Sequence, residues 1–483
     1  MGKSLGDFHL TDIFLQTFTH EWETMEIEAE RNIIVSKEDL STIDQLNQEQ
    51  KIAYHKILSS VYDTTSTAFF VDGPGGTGKT FLYRALLAKI RSQKHIALAT
   101  VTSGVTTSIL PGGKTAHSHF KIPLNDDEGK TCNISKQSSI AQLIKDAKLI
   151  IWDDATMAER KAIERFDQLL QDIMSNKEVF GGKTVIFGGD FRQTLSVIVK
   201  GKKNDMIDVS LVKSHIWNHL EKIHLTENMR ARLDPDFSSY LLRVGNGTEI
   251  TTNQDEIKIP PGINVPFIDD ASSITTLTDM VFEDLYNMAA DNTLPINKAI
   301  LMTRNDFVHE INDILIDKFP GDEKCYLSFD QPLESSGQIQ NEDFLHTLMP
   351  KGLPPHQLKL KKNCLVMLLR NINPTEGLSN GTRLICREFG NNVQAEITFG
   401  SFAKKIVFIP LIPLESPTDD FSSIPFKRTQ FPLRLYFAMT INKAQGQTLD
   451  YVGLYLKEHV FSHGQLYVAL SRAKTATNVK VLI

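Results

Sequence analysis

Apolar runs alternate with stretches of helical period over the first half of the chain. Residues 46–58 place apolar side chains at helical spacing, including Ile52, Ala53 and Ile57, and predict an amphipathic helix. Later runs are continuously apolar, as in strands that are buried on both faces. These runs are AFFV (68–71), HIALATV (95–101), KLIIWDDA (148–155) and KTVIFGGDF (183–191). The alternation predicts an α/β fold with a parallel, doubly wound sheet.

The pattern restarts in the second half of the chain and then changes character. KAILMT (298–303) predicts another buried strand, which a helix follows. Residues 317–362 are rich in turn formers, and short alternating runs over 363–435 predict antiparallel strands. Helix and buried strand return over 436–483. We therefore expect a second α/β domain that is interrupted by a small β insert.

The segment GPGGTGKT (73–80) has the spacing of a phosphate-binding loop and lies between a predicted strand and a predicted helix. Lys79 can reach the β- and γ-phosphates of a nucleotide, and the Thr80 hydroxyl can bind Mg²⁺. The other candidate residues of this loop are Gly73, Gly75, Gly76, Thr77 and Gly78. A purely structural glycine turn is the weaker interpretation, because strand, loop and helix follow in the order that phosphate binding needs.

Two carboxylates, Asp153 and Asp154, follow the apolar run LIIW. A P-loop enzyme needs an acidic group at a strand end to hold its metal ion, which makes Asp153 the candidate ligand. Asp154 is placed to orient or deprotonate the attacking water. An Asp-Asp pair by itself is more often a solvated turn or a helix cap, so the preceding P-loop is what favours a catalytic role.

A third polar segment, GGDFRQ (188–193), follows the next apolar run. Asp190 and Gln193 can face the γ-phosphate from this strand end. An amide in that place distinguishes ATP from ADP, because it loses a hydrogen bond after hydrolysis. The string alone is a weak signal, since a loop with turn residues has the same composition.

Composition narrows the class of protein. With 41% hydrophobic and 23% charged residues, the 483-residue chain can form about three globular domains. The net charge of −6 argues weakly against nucleic-acid binding but permits a local basic groove. The four cysteines form no C-x-x-C pair, which favours reduced thiols in an intracellular protein over a zinc site or a disulfide scaffold. We find neither an apolar run of membrane-spanning length nor a signal peptide.

Taken in order along the chain, the motifs resemble those of the PIF1-like helicases of superfamily 1, especially the group found in plants, fungi and Helitron transposons. The similarity runs from about Leu46 to the C-terminus, and GKSLGDF (2–8) resembles the segment that precedes the helicase in Helitron proteins. Besides the P-loop, the motifs are LNQEQ (46–50), TVTSGVTTSILPGGKTAHSHFKIP (100–123), LIIWDDATM (149–157), FGGKTVIFGGDFRQ (180–193), LTENMRA (225–231), LLRVGNGTE (241–249), PPHQLKLKKNCLVMLLRNINPTEGLSNGTRL (354–384), FAMTINKAQGQTL (437–449) and HGQLYVALSRA (463–473).

The resemblance implies two RecA-like domains with the nucleotide between them and an SH3-like β insert in the second domain. The expected segments are a lead-in at 1–40, a first domain at 41–222 with a small insert at about 120–147, and a second domain at 223–483 with the β insert at about 355–430. The implied activity is ATP-dependent 5′→3′ translocation on single-stranded DNA, coupled to duplex unwinding. ATP and Mg²⁺ are the implied cofactors. We expect single-stranded and forked duplex DNA as partners, a monomeric protein, and a nuclear or mitochondrial location in a eukaryote.

The resemblance also implies roles for individual residues. Gln50 is similar to the glutamine that reads adenine, and Arg230 and Arg472 are similar to two arginines that reach the γ-phosphate from across the cleft. The residues in motifs that line the DNA path are Ser103, His117, Thr440, Lys443 and Gln445. A surface ion pair is the alternative for Arg472, and a core or capping role for His117 is nearly as well supported.

The chain departs from the family pattern at three places. Asp154 stands where glutamate is usual, Ser196 stands where proline is usual, and Thr106-Thr107 replace a pair of alanines. Only the first bears on catalysis, because aspartate is one methylene shorter than glutamate. It keeps open the alternative of a transposon-derived remnant that binds DNA and ATP with impaired hydrolysis. On the sequence alone, we expect Asp154→Glu to raise turnover.

Overall fold

The computed structural model describes most of the chain from residue 27 onward. The described residues are 27–63, 66–123, 131–196, 201, 203–252, 256–283, 285, 294–333, 342–350, 352–400, 402–416 and 425–483. GKSLGDF, most of the predicted lead-in and part of the insert predicted at 120–147 lie outside these residues. The chain divides into two compact units. The first comprises Met1–Ser103, Leu110–Phe191 and Leu195–Glu227, and the second comprises Gly104–Ile109, Arg192–Thr194 and Asn228–Ile483.

A parallel sheet of six strands forms the centre of the first unit. The strands are β1 (Ala68–Asp72), β2 (Ile96–Val101), β3 (Lys114–Thr115), β4 (Ala147–Asp153), β5 (Val185–Gly189) and β6 (Glu221–His224). Their order is β3-β2-β4-β5-β1-β6, and every pairing is parallel. All residues of β2 and β5 are buried, which explains their continuous apolar sequences. The predicted doubly wound sheet is therefore confirmed, and the boundary predicted at residue 222 falls within β6.

Helices cover both faces of this sheet. They are α1 (Lys37–Ser41), α2 (Gln48–Tyr62), α3 (Lys79–Ser92), α4 (Ala116–His119), α5 (Ser139–Asp146), α6 (Arg160–Met174) and α7 (Lys203–Asp208). Alternate residues of each strand face opposite sides, so Phe69 packs with α2 and α3, whereas Phe70 packs with α5 and α6. The amphipathic helix predicted at 46–58 corresponds to α2, which begins with a capping box between Asn47 and Gln50.

The second unit contains both parallel and antiparallel strands. They are β7 (Lys298–Met302), β8 (Glu323–Leu327), β9 (Phe329–Pro332), β10 (Gln357–Lys361), β11 (Leu365–Leu368), β12 (Arg383–Phe389), β13 (Val393–Ile397), β14 (Ile406–Ile409), β15 (Ile412–Glu415), β16 (Phe426–Gln430), β17 (Leu433–Leu435), β18 (Ala438–Thr440), β19 (Tyr451–Tyr455) and β20 (Val479–Leu482). Its helices are α8 (Pro235–Asn246), α9 (Asp270–Val281), α10 (Asn305–Lys318), α11 (Glu342–Thr347) and α12 (Gln465–Leu470).

These strands form one parallel sheet and three antiparallel ones. The parallel sheet has the order β18-β7-β19-β20, and the largest antiparallel sheet has the order β14-β13-β12-β11-β17. The second α/β domain and its antiparallel β insert are thus confirmed. The region 317–362, which sequence describes only as rich in turns, contains β8, β9, α11 and β10. No helix among the described residues is long and apolar enough to cross a membrane.

Candidate functional site

The P-loop connects β1 to α3 in the first unit, and its backbone requires glycine. Gly78 precedes α3 with φ 79°, a left-handed conformation that glycine adopts without strain. A Cβ atom on Gly78 would also collide with the Gln50 side chain. A Cβ atom on Gly73 would lie 2.5 Å from Thr77 Oγ1 and 3.0 Å from the Leu225 carbonyl oxygen. The loop is therefore tightly curved, as a backbone that surrounds a phosphate must be.

Side chains hold this loop in place. The Thr77 hydroxyl donates to the Pro74 carbonyl at 3.0 Å, and Gln50 Nε2 donates to the Thr77 carbonyl at 3.0 Å. Lys79 Nζ donates to the carbonyl oxygen of Gly73, across the mouth of the loop. Gln50 thus lies against the P-loop, where a residue that contacts the nucleotide would have to be.

Asp153 ends β4 beside the first turn of α3. Its carboxyl group accepts hydrogen bonds from the Thr80 hydroxyl and, at 2.9 Å, from the backbone N–H of Asp154. Burial raises the pKa of Asp153, while the charge of Lys79 and the two hydrogen bonds oppose that shift. The structure therefore places a carboxylate, a hydroxyl and an ammonium group together, as sequence predicts.

Asp154 lies in a left-handed conformation, with φ 54° and ψ 33°, and precedes a single 3₁₀ turn at Ala155–Met157. Its carbonyl accepts a hydrogen bond from the Thr102 hydroxyl at 2.8 Å, and Trp152 Nε1 donates to the same hydroxyl at 3.0 Å. Aspartate and asparagine adopt this conformation several-fold more often than other non-glycine residues. The backbone here suits the residue that departs from the family pattern.

Tyr83 is part of this site although sequence analysis missed it. Its hydroxyl is fully buried and has no hydrogen-bond partner within the described residues. Burial raises its pKa well above the usual value, and the charges of Asp153, Asp154 and Asp72 raise it further. The available signal was its position four residues after Lys79, which places both side chains on one face of α3.

Asp190 and Gln193 follow β5 and are both buried. Gln193 belongs to the second unit together with Arg192 and Thr194. Within that unit, the Thr194 hydroxyl donates to Gln445 Oε1. A Cβ atom on Gly464 would collide with the backbone of Gln193. The position of Gln193 is therefore fixed by close backbone packing against the residue that precedes α12.

The structure brings Arg230 and Arg472 together in the second unit. Arg472 is 1% exposed, and its Nε donates to Val468 O at 2.8 Å while Nη1 donates to Gln447 O at 3.0 Å. Arg230 Nη1 donates to the Ser471 carbonyl at 2.7 Å. Burial and the neighbouring charge of Arg472 lower the pKa of Arg230 to about 9. The surface ion pair considered for Arg472 is wrong, because this guanidinium is buried among backbone carbonyls.

The residues predicted on the DNA path lie in both units. Ser103 and His117 are partly exposed in the first unit, and burial lowers the pKa of His117. In the second unit Thr440 ends β18, and Lys443 and Gln445 follow directly. Gln445 is 3% exposed, and the pKa of Lys443 is lowered to about 8 by burial and by the charge of Arg434.

Comparisons with known proteins agree with this arrangement. The PIF1-like helicase family model matches residues 45–255, and the model of the DNA helicase Pif1 2B domain matches residues 343–389. ATP-dependent DNA helicase PIF1 of Danio rerio is 26% identical over 451 residues, which are 92% of this chain and 62% of that protein. ATP-dependent DNA helicase Pif1 of Campylobacter jejuni is 26% identical over 433 residues, which are 85% of this chain and 88% of that protein. The chain thus spans less than two thirds of the length of the Danio rerio relative.

Solved structures show the same fold. Pif1 helicase from Bacteroides in complex with ADP-AlF3 and ssDNA has a TM-score of 0.63 at 21% identity, and covers 93% of this chain and 92% of its own. A structure of two coordinating Pif1 helicases at forked dsDNA has a TM-score of 0.65 at 22% identity, and covers 90% of this chain and 92% of its own. The two family models together match just over half of the chain. This protein therefore belongs to the PIF1-like helicase family.

Proposed function

We propose that this protein is an ATP-dependent DNA helicase that moves 5′→3′ along single-stranded DNA and unwinds forked duplexes as a monomer. The observation that carries the proposal is the cluster of Lys79, Thr80 and Asp153 at the P-loop. The relatives from Danio rerio and Campylobacter jejuni are both named ATP-dependent DNA helicases, which supports the activity.

The residues at the P-loop fit a bound nucleotide and a magnesium ion. The Thr80 hydroxyl and the Asp153 carboxylate supply the oxygen ligands that Mg²⁺ prefers. When bound, the ion neutralises charge on the phosphate oxygens. When a nucleotide binds, the Lys79 ammonium group would leave the Gly73 carbonyl and donate to the β- and γ-phosphates. Gln50 would contact the adenine from α2.

Hydrolysis needs a group that orients water and groups that stabilise charge on the γ-phosphate. We assign the first role to Asp154 and the second to Arg230, with Gln193 sensing the γ-phosphate. Arg230 has a lowered pKa because it is buried beside Arg472, so an added anion would relieve the repulsion between the two guanidinium groups. Arg472, which lies next to Arg230, would add its positive charge to the stabilisation of the γ-phosphate.

Contacts to DNA would be mostly to phosphates. We assign them to Ser103, His117, Thr440, Lys443 and Gln445. Such contacts carry little sequence information, so the protein should bind single strands with weak sequence preference and strong dependence on salt.

The second candidate function is a DNA- and ATP-binding remnant with impaired hydrolysis, and the presence of Asp154 favours it. The structure weakens this alternative, because the left-handed backbone at residue 154 suits aspartate. ATPase rates of the purified protein with and without single-stranded DNA decide between the two. DNA-stimulated turnover that Lys79→Ala abolishes supports the helicase, whereas ATP binding without turnover supports the remnant.

We also propose membership of the plant, fungal and Helitron-type group, supported by the ordered sequence motifs, and action in the nucleus or mitochondrion. The DNA sequence that precedes the codon for Met1 in the genome tests the first point, because a replication-initiator domain encoded there would support it. Imaging of a tagged protein in its own cells tests the second point.

A further inference from the structure

A cavity of about 390 Å³ opens in the second unit, outside the residues assigned above. Its lining includes His309, Asn312 and Asp313 from α10, His356 and Lys359 beside and within β10, and Arg434 from β17. Small-ligand sites in proteins occupy roughly 300–1,000 Å³, so the cavity is large enough to hold a ligand.

Arg434 is a buried cation at this cavity, with 9% of its surface exposed. Its Nη2 donates to the Leu353 carbonyl at 3.2 Å. Within the described part of the chain, its Nε has no hydrogen-bond acceptor and its guanidinium forms no ion pair with a carboxylate. Burying a charge without a partner is costly, so such an arginine is expected to meet an anion in the functional state.

Lys443 brings a second positive charge near Arg434, whereas His309 is neutral near pH 7 because its pKa is lowered to about 4. The charge of Arg434 lowers the pKa of Lys443 and also that of His309, although burial is the larger cause for both groups. Asp313 also lines the cavity, but burial raises its pKa and the opposite charge acting on it is that of Lys359. The electrostatic potential around Arg434 therefore favours an anion.

A metal ion is a poor fit next to this cavity. Asp330, His346 and His356 place ligand atoms within 4.8 Å of one another. However, both carboxylate oxygens of Asp330 accept from Arg428, at 2.6 Å from Nη2 and 2.9 Å from Nε. A second cation would be repelled by this buried guanidinium.

We propose that Arg434, together with Lys443, binds one backbone phosphate of single-stranded DNA. The inference rests on the proposed helicase function and extends its DNA path beyond the residues that family motifs indicate. A guanidinium group can donate two parallel hydrogen bonds to two phosphate oxygens, and a phosphodiester offers two such oxygens. DNA is favoured over a free nucleotide, because Lys443 lies in the segment after β18 that is assigned to the DNA path.

The test is a titration of fluorescent oligo(dT) with the full chain over a series of salt concentrations. Arg434→Gln should weaken binding about tenfold and reduce the slope of log affinity against log salt by about 0.7, the value of one phosphate contact. Arg434→Lys keeps the charge, so it should retain the slope while binding more weakly than the parent. Arg243→Gln is the matched control, since it removes an arginine of the same unit that pairs with Glu249 at 2.7 Å.

Melting temperature and DNA-free ATPase rate report whether each variant folds. If Arg434→Gln does not fold, Arg434→Lys decides, and parental affinity in that variant overturns the inference. A folded Arg434→Gln protein with parental affinity and slope also overturns it while leaving the helicase proposal intact. Failure of the parent chain to bind oligo(dT) overturns both. Inorganic phosphate serves as a competitor. If Arg434→Gln weakens the binding of inorganic phosphate but not of oligo(dT), the site binds a free anion and the inference is wrong.

Discussion

A Cβ atom on Gly188 would collide with the Tyr83 hydroxyl and would lie 2.6 Å from Asp153 Oδ1. β5 therefore passes so close to the P-loop site that its penultimate residue can have no side chain. The buried Tyr83 hydroxyl and the Asp153 carboxylate share the space that a glycine leaves open. The sequence indicates a role for Asp153 alone, whereas in the structure β4, β5 and α3 together position this carboxylate.

We expect Gly188→Ala to reduce ATP turnover by about 10²-fold, because a displacement of a catalytic group by about 1 Å has that cost. Steady-state turnover at saturating ATP and Mg²⁺ measures the effect. Gly262→Ala is the control, since a Cβ atom at Gly262 meets nothing within 4 Å. Equal turnover in the two variants would show that Asp153 tolerates the added methyl group.

Asp154→Asn should abolish hydrolysis and preserve ATP affinity, because the amide cannot accept a proton while Asp153 and the P-loop are unchanged. Asp154→Glu should turn over no faster than the parent, contrary to the expectation from sequence alone. The reason is the left-handed backbone at this residue, which glutamate adopts less readily than aspartate. Single-turnover hydrolysis and nucleotide binding measured on both variants check the prediction, and a faster Asp154→Glu protein would contradict it.

Arg230 and Arg472 should differ in the kind of defect that their loss produces. Arg230→Ala should lower the saturated turnover by about 10³-fold, as for other arginines that contact the γ-phosphate. Loss of its hydrogen bond to the Ser471 carbonyl should lower the melting temperature by less than the loss of Arg472 does. Arg472→Ala should lower the melting temperature more, because it leaves the buried Gln447 carbonyl without this donor, at about 1–3 kcal/mol. It also removes one of two donors to the Val468 carbonyl, the other being the Ser471 hydroxyl. Thermal denaturation and kinetics on both variants distinguish the roles, and an unchanged melting temperature for Arg472→Ala would be inconsistent with them.

DNA affinity should depend on pH through Lys443. Its pKa is lowered to about 8, so the ammonium group is charged below that pH and neutral above it. A DNA phosphate favours the charged form, so affinity should be constant from pH 6 to 7 and fall by up to tenfold per pH unit above about 8. Lys443→Arg should remove the dependence, since arginine does not titrate in this range. Anisotropy titrations at fixed ionic strength check this, and identical pH profiles for the two proteins would contradict the role of Lys443.

The fold could be predicted where burial leaves a clear pattern in the sequence. β2 and β5 are buried on both faces and read as continuous apolar runs. β6 could not be predicted, because its sequence EKIH is only partly buried and its place in the sheet depends on pairing with β1. The region 317–362 was missed for another reason. Its structure is organised by a buried ion pair between Asp330 and Arg428, which are 98 positions apart in the chain.

The residues of the candidate site also divide into those that the sequence could predict and those that it could not. The P-loop and Asp153 have local signatures, namely glycine spacing and a carboxylate at the end of an apolar strand. Tyr83 and Arg434 have none, because a tyrosine in a helix and an arginine in a strand are ordinary residues until their burial is known. The left-handed backbone of Asp154 is also set by neighbours, since the Thr102 hydroxyl donates to its carbonyl and Trp152 Nε1 donates to that hydroxyl.

The most direct test of the helicase proposal is strand separation on matched forked and tailed duplexes. The full chain should release the displaced strand from a duplex with a 5′ single-stranded tail, in the presence of ATP and Mg²⁺. It should not do so from a duplex with only a 3′ tail, and Lys79→Ala should be inactive on both while still binding single-stranded DNA. Equal unwinding by the parent and Lys79→Ala, or no unwinding of any substrate by a parent protein that binds DNA and hydrolyses ATP, would contradict the proposal.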